Sequence, residues 1–428
     1  MPALDRDAYV ADFAEYIRES PSSYHAAAAV AARLERAGFE RLDERDEWPT
    51  SSGRRVVVRD GAVIAWVQPD AATAASPFRI LGAHTDSPSF KLKPGRSTSA
   101  EGLLQAGVEV YGGPLLNSWL DRELELAGRV VTRDGATHLV RTGPMLRIPQ
   151  LAIHLDRDVT KGLTLDKQRH LQPIWGAVAD AAGADLLETA VQGAGVAHAA
   201  DVDGHDLLLA DTQPPARFGA DEAFFAAGRM DNLSSVYAGL VALVAAPDDA
   251  AHVSVLAAFD HEELGSESRS GASGPFLEDV LARVSAGLGA DATARRRAFA
   301  DSWLLSSDAG HAVHPNYPER HDPVNRPVLG GGPLLKLNAN QRYASDALGS
   351  ALWARACRQA GVATQPFVSN NAIPCGSTIG PLSATRLGIR TVDVGTPLLS
   401  MHSARELAHV DDLVALAAAV TAFYGPAD

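Results

Sequence analysis

The sequence predicts an α/β protein whose helix–strand alternation is interrupted by a mostly β insertion. Three observations predict it. Apolar runs rich in β-branched residues alternate with Ala-rich helical stretches at both ends of the chain. Between about Lys91 and about Ala223 the texture changes to short strand-like pieces separated by Gly, Pro and Asp-Gly turns. Several apolar runs outside that region stop abruptly at His, Asp or Glu. At 428 residues the chain is long enough for two domains or for one large domain with an insertion.

Taken in order, residues 7–18 and 22–37 read as helices, the second opened by Ser20-Pro21-Ser22-Ser23 and closed by Gly38. RRVVVRDGAVIAWVQ, centred on Asp60-Gly61, reads as a β-hairpin. Phe78 to Ala83 is a short strand that ends in His84-Thr85-Asp86. The β-textured insertion follows, with EVYGGPLLNSWLD, LAGRVVTRDGATHLV and DVDGHDLLLADTQPP as its clearest pieces. After Gly228, Asp231-Asn232 opens a helix, and strand 253–259 comes next. A helix containing FLEDVLARV, strand 303–307 before Asp308, and two further helix–strand units complete the chain; its last strand, 391–394, leads into GTPLLSMHSARE.

Composition narrows the function. A net charge of -14 argues against nucleic acid or an anionic membrane as a partner, since both reward basic patches. The basic run Arg295-Arg296-Arg297 falls in a helical stretch and reads as a solvated face. Cys357 and Cys375 have no paired metal-ligand spacing, and the N-terminus carries acids and no apolar core of signal-peptide length. A soluble, cytoplasmic protein is expected.

The chemistry is carried by VSVLAAFDHEELGS, a buried strand that delivers Glu262 and Glu263 side by side. Neighbouring carboxylates are costly to hold together unless a cation or proton sits between them, and the C-terminal edge of an open α/β sheet is where ligands bind. The other reading of the stretch is a helix N-terminus favouring acids. Similar ligand types close other segments: His84 with Asp86, Asp231, Asp308 and His402. Two imidazoles with several carboxylates suit one or two divalent, zinc-like ions. One glutamate of the pair is then free to bind metal while the other takes a proton from water, and Asp86 is placed to orient the His84 ring through its second nitrogen.

GAHTDSP, GRMDNLSS, DHEELGS, SSDAGHAVHPNY, LNANQRYAS, PCGSTIGP and MHSARE resemble the motifs of the aspartyl aminopeptidase family of dinuclear zinc exopeptidases. The resemblance runs from SPSSYHA to MHSARE, nearly the whole chain. It implies a doubly wound zinc-peptidase domain, residues 1–90 and 224–428, interrupted by a β-rich dimerisation domain, residues 91–223. It also implies a tetrahedral homo-oligomer of twelve chains built from dimers, and two metal ions, zinc with manganese or cobalt as alternatives. Position by position, Asp231 would bridge the ions, with His84 and Asp308 completing one site and Glu263 and His402 the other. Glu262 would be the general base, His314 would steady the tetrahedral intermediate, and His154, in IPQLAIHL, would reach a neighbouring subunit's site. Peptides with a free, acidic N-terminus are the implied substrates, read by a cation for which Lys336 and Arg342, beside Tyr343, are the candidates. Cys375 is set aside as a nucleophile, because activated water already supplies one. The alternatives are a related zinc carboxypeptidase or N-acyl amino acid deacylase, or a non-catalytic, metal-stabilised assembly subunit.

Overall fold

Strand Val253–Phe259 is buried along its whole length, and so is strand Ala62–Gln68 beside it. Strands covered on both faces read as continuous apolar runs, which is how these two appear in the sequence. In the computed structural model, which describes residues 4–95, 97–179 and 185–425, they lie inside a nine-stranded mixed sheet. Its order is Glu40–Leu42, Gly53–Arg59, Ala62–Gln68, Val253–Phe259, Phe78–His84, Trp303–Ser307, Arg390–Gly395, Leu334–Leu337 and Gln365–Val368. The four strands from Val253–Phe259 to Arg390–Gly395 are mutually parallel, so their C-terminal ends share one edge.

Alternate residues of these strands enter two hydrophobic cores. Leu81, Ala83, Leu256 and Ala258 pack under helices Arg6–Glu19, Ser23–Arg36, Met230–Val244, Ala347–Ala360 and Val410–Tyr424. Ile80, Val255, Ala257 and Phe259 pack on the other face under helices Phe276–Gly287, Ala292–Asp301 and Ile379–Leu387. Each fully buried Leu, Ile, Val or Phe contributes about 1.5–3 kcal/mol, so covering both faces fixes the strand register firmly. Helix Met230–Val244 lies close to the sheet because position 239 is glycine: a Cβ there would fall 2.3 Å from Leu81 and 2.7 Å from Leu256.

The first two helices form within a residue of the expected limits, capped by Asp5 and Ser22. The Asp60-Gly61 hairpin also forms, with Arg59 opposite Ala62. Between the outer segments, a five-stranded antiparallel sheet runs in the order Thr137–Arg141, Leu124–Thr132, Val202–Asp211, Ser89–Leu92, Val108–Tyr111. It has a core of its own around Phe90, Trp119, Leu126, Val130, Ile148 and Leu207. Strand Ala216–Phe218 pairs with Phe224–Ala227, and that strand pairs with Glu406–His409, which joins this region to the last helix. No helix among the described residues is long and apolar enough to cross a membrane.

Candidate metal centre

The four parallel strands bring distant ligand types to one edge. His84 is the last residue of its strand and pairs in register with Phe259, so the turn carrying Glu262 and Glu263 rises beside it. There the chain enters a left-handed conformation at His261 and then a single 3-10 turn, Glu262–Leu264; the helix that a capping role would need does not form. Asp308 follows the neighbouring strand and donates its N–H to the Val394 carbonyl at 3.0 Å. Asp231 lies in the first turn of helix Met230–Val244, in non-helical backbone, and its Oδ1 stands 3.3 Å from His84 Nε2.

Three groups of ligand atoms result, and within each the atoms lie within 4.8 Å of one another. Two share Asp231: His84, Asp231 and Asp308 form one, and Asp231, Glu263 and His402 the other; the third joins His84 to Glu262 and Glu263. Asp231 Oδ2 stands 3.5 Å from His402 Nε2. The rings are held from behind. His84 Nδ1 lies 3.0 Å from the Asp86 carbonyl and His402 Nδ1 lies 3.1 Å from the Gly113 carbonyl, so Nδ1 is the proton-bearing nitrogen in both. Once a ring gives up its Nε2 proton, the Nε2 lone pair points toward carboxylate oxygens, and two of those, Asp231 Oδ1 and Glu263 Oε1, are buried with no hydrogen-bond donor. Lone pairs converging on unpartnered carboxylate oxygens are a donor set that fits divalent cations.

The electrostatics agree. Burial pushes the Glu262 carboxyl up to about 8, with Asp308, Asp86 and Asp231 adding to it against His84. Burial and then Asp231 drive Glu263 well above the ordinary range. Although burial opposes it, His402 rises to about 10 through Asp231 and Glu263, and His84 also rises well above its ordinary value through Asp231, Asp308 and Asp86. Carboxylates outnumber cationic groups here, so the cluster collects positive charge, and protons compete with metal for the same atoms.

Asp86 lies behind the His84 ring at its second nitrogen, with its main-chain carbonyl 3.0 Å and its carboxylate 3.5 Å from Nδ1. That carboxylate also accepts the N–H groups of Glu262 at 3.0 Å and Glu263 at 3.2 Å, and the Tyr111 hydroxyl at 2.9 Å. Asp86 therefore orients the acid pair. Glu406, which the sequence pattern does not single out, does the same for two ligands. It is fully buried and accepts the N–H of Asp231 at 3.0 Å and of His402 at 2.9 Å. Its place at the end of MHSARE is the one signal that points to it.

A cavity of about 300 Å³ adjoins the cluster. One wall begins at the short parallel pairing of Gly310–His311 with Pro397–Leu398, between the ligands Asp308 and His402. His311, His314, Arg320, His321, Tyr343 and Asn370 line it, and no Asp or Glu is among its described lining residues. His314 and Tyr343 line this cavity; Lys336 stands just behind it, 5.5 Å from the centre of the Tyr343 ring. Lys336 is buried, donating to the Ala309 carbonyl at 2.7 Å and standing 3.7 Å from Asp308, because an ammonium in the interior needs such partners. Arg342 is exposed outside the cavity lining. His154 is exposed on the inserted region, outside the ligand groups of its own chain. Cys375 packs against Leu334, Tyr343 and Phe367.

Comparison with known proteins gives the same family. The family model described as "Aminopeptidase I zinc metalloprotease (M18)" matches residues 16–424. The chain belongs to the M18 family of zinc metallo-aminopeptidases. Within M18, it is 53% identical over 420 residues to "Probable M18 family aminopeptidase 2" of Streptomyces coelicolor, covering 97% of each chain. The structure of an Ape4 and Nbr1 complex contains a chain that superposes with a TM-score of 0.93 at 33% identity, over 98% of this chain and 86% of that one. The S. cerevesiae mApe1 dodecamer superposes with a TM-score of 0.85 at 28% identity, over 98% and 96%. The family read from the motifs is therefore right, and the protein is a metallo-aminopeptidase, which sets aside the deacylase, carboxypeptidase and non-catalytic readings.

Proposed function

We propose that this M18 aminopeptidase removes single N-terminal residues, preferentially Asp and Glu, from peptides, using two divalent ions that share Asp231. One observation carries the reading: two trios of ligand atoms meet at a single buried carboxylate, with Glu262 beside them. His84 and Asp308 complete one site, Glu263 and His402 the other. Zinc suits the imidazole and carboxylate donors, with manganese and cobalt as alternatives. Ions held there would supply Lewis acidity, polarising a scissile carbonyl and making water acidic enough to lose its proton near neutral pH.

The chain's own groups do the rest. Glu262 Oε2 lies 4.0 Å from His84 Nε2, at the edge of the ligand set, where it takes the proton of the attacking water and returns it to the leaving amine. Asp86 and Glu406 hold the main chain of the ligands and the base, so the geometry is preset before substrate arrives. His314, which lines the adjoining cavity, would donate to the tetrahedral oxyanion in this reading. The acidic preference is supported by a cavity lined by Arg320 and three histidines and by no acid among its described residues.

The five-stranded sheet region, residues 91–223, serves as the dimerisation domain in this reading. A homo-oligomer of twelve chains is suggested by the dodecamer of the mApe1 relative. His154 then belongs at a neighbouring subunit's site, a role that its exposure on the inserted region supports. Two unpaired cysteines are consistent with a cytoplasmic setting.

The test is turnover of a panel of free-amine dipeptides differing only in the first residue, and of their N-acetylated forms, after chelation and after return of zinc, manganese or cobalt. Loss on chelation, recovery with metal and at least tenfold preference for Asp or Glu are expected. Turnover that survives exhaustive chelation contradicts the metal mechanism, and a preference below tenfold, about 1.4 kcal/mol, contradicts a dedicated reader of the acidic side chain.

A further inference from the structure

Three consecutive residues of the inserted region, Tyr111, Gly112 and Gly113, touch the metal centre at three different points. Tyr111 ends strand Val108–Tyr111, at the edge of the five-stranded sheet, in register with Ser89. Its hydroxyl donates to Asp86 Oδ2 at 2.9 Å, on the carboxylate that also accepts the Glu262 and Glu263 N–H groups. Donors on both oxygens fix that carboxylate's rotation, and with it the main chain of the acid pair. Gly112 has φ +70, and a Cβ there would lie 3.1 Å from Glu263 Cβ. Only glycine lets the backbone pass so close in that conformation. The Gly113 carbonyl accepts from His402 Nδ1 at 3.1 Å, and the nearby Leu115 N–H donates to the His402 carbonyl at 2.9 Å.

The two ligand trios are therefore supported differently. His84 and Asp308 stand on the parallel sheet, and the His84 ring is held by main chain from its own loop. Glu263 and His402 lean on a segment of the other sheet. We propose that Tyr111–Gly113 is a positioning clamp through which the inserted region sets one half of the metal centre: the Glu263 and His402 half, with Glu262 carried along through Asp86. The proposal rests on the two-ion reading above. It makes the inserted region part of the catalytic apparatus, so that strain in its sheet reaches one ion selectively.

The experiment uses the full chain carrying Gly112→Ala or Tyr111→Phe, checked for wild-type circular dichroism and assembly size. Stepwise zinc affinities are measured against a chromophoric chelator, cobalt absorption spectra are recorded, and kcat and KM are determined separately. Gly112→Ala is expected to weaken one of the two ions by about 10–100-fold, the range for groups behind a ligand, and to leave the other within about threefold. It also alters only part of the cobalt spectrum. Tyr111→Phe is expected to lower kcat about tenfold with KM within about twofold, because it disturbs the base and leaves the substrate cavity alone. Both ions weakening equally, or both affinities and kcat staying within about twofold, overturns the clamp. If Gly112→Ala does not fold, Tyr111→Phe decides, since it removes one oxygen only. A wild-type chain that takes up a single ion defeats the two-ion reading instead, whereas two ions with unaltered variants defeat the clamp alone.

Discussion

The metal cluster and the cavity beside it are neighbours built by opposite means. The cluster is largely buried, His84 and Asp308 are delivered by strands in fixed register and Asp231 by a helix start, and carboxylates hold its main chain from behind. The cavity is made mostly of loops, within 312–321, 369–376 and 399–400, joined to the ends of short strands at His311, Phe367 and Leu398. Its one arginine, Arg320, is 70% exposed and loosely paired with Glu319 at 3.8 Å. Bond-making needs placement to within about half an ångström, which packed elements can hold. Reading a side chain needs shape and charge, which loops supply and can vary. Chemistry should accordingly be damaged from the cluster side and selectivity from the cavity side.

The largest effect is expected at Glu262. Glu262→Gln removes the proton carrier and keeps the size, so kcat should fall by about 10²–10⁴-fold for every first residue alike. A fall confined to acidic substrates in steady-state kinetics would assign Glu262 to recognition. Glu406→Gln should cost about 10–100-fold in metal affinity or kcat, although the residue touches neither metal nor substrate, because it accepts main-chain N–H groups of two ligands. Isothermal titration with zinc checks this.

The pH response separates the two regions as well. In metal-free protein Glu262 titrates at about 8 and His402 at about 10, and Glu263 also lies well above the ordinary range. At pH 7 Glu262 and His402 hold protons that the charge of a bound metal drives off. Zinc affinity should therefore rise between pH 6 and 9 by about tenfold per unit for each proton released, as titrations in buffers of different ionisation enthalpy would report. The fold itself has the opposite sign without metal. A carboxyl whose folded value is raised, such as Glu262, contributes stability that is full below the ordinary 4.5 and is lost as pH rises through about 8. The melting temperature of metal-free protein should fall over that window, and that of zinc-loaded protein should not.

The smallest effect is expected at the cavity. Arg320→Ala should reduce the preference for Asp over Leu at the first position by about three- to tenfold, near 1 kcal/mol, since an exposed guanidinium is well screened. Turnover of the Leu substrate should be unchanged.

The same contrast explains what the sequence discloses. The strands bearing His84, the Glu262–Glu263 pair and Asp308 are apolar runs cut off by ligand types, so an edge full of acids and imidazoles is legible from the residue pattern alone. Covering both sheet faces leaves little freedom in register, and local pattern is enough. What sits behind the ligands is not legible. Tyr111, Gly113 and Glu406 matter through contacts across the fold, and a lone tyrosine or glutamate near a turn carries no periodic signal. Lys336 shows the same limit: the pattern offers a cation near a motif, and only the fold shows its ammonium buried between Asp308 and the Tyr343 ring. Loop residues such as Arg320 and Asn370 meet across the cavity by loop conformation, which pattern does not encode.

The most direct test is the ratio of kcat/KM for Asp-first and Leu-first dipeptides, measured side by side in wild type, Glu262→Gln and Arg320→Ala. The division of labour predicts that Glu262→Gln lowers both values by the same factor and keeps the ratio, while Arg320→Ala lowers the ratio and spares the Leu substrate. A ratio that changes in Glu262→Gln and holds in Arg320→Ala would contradict it.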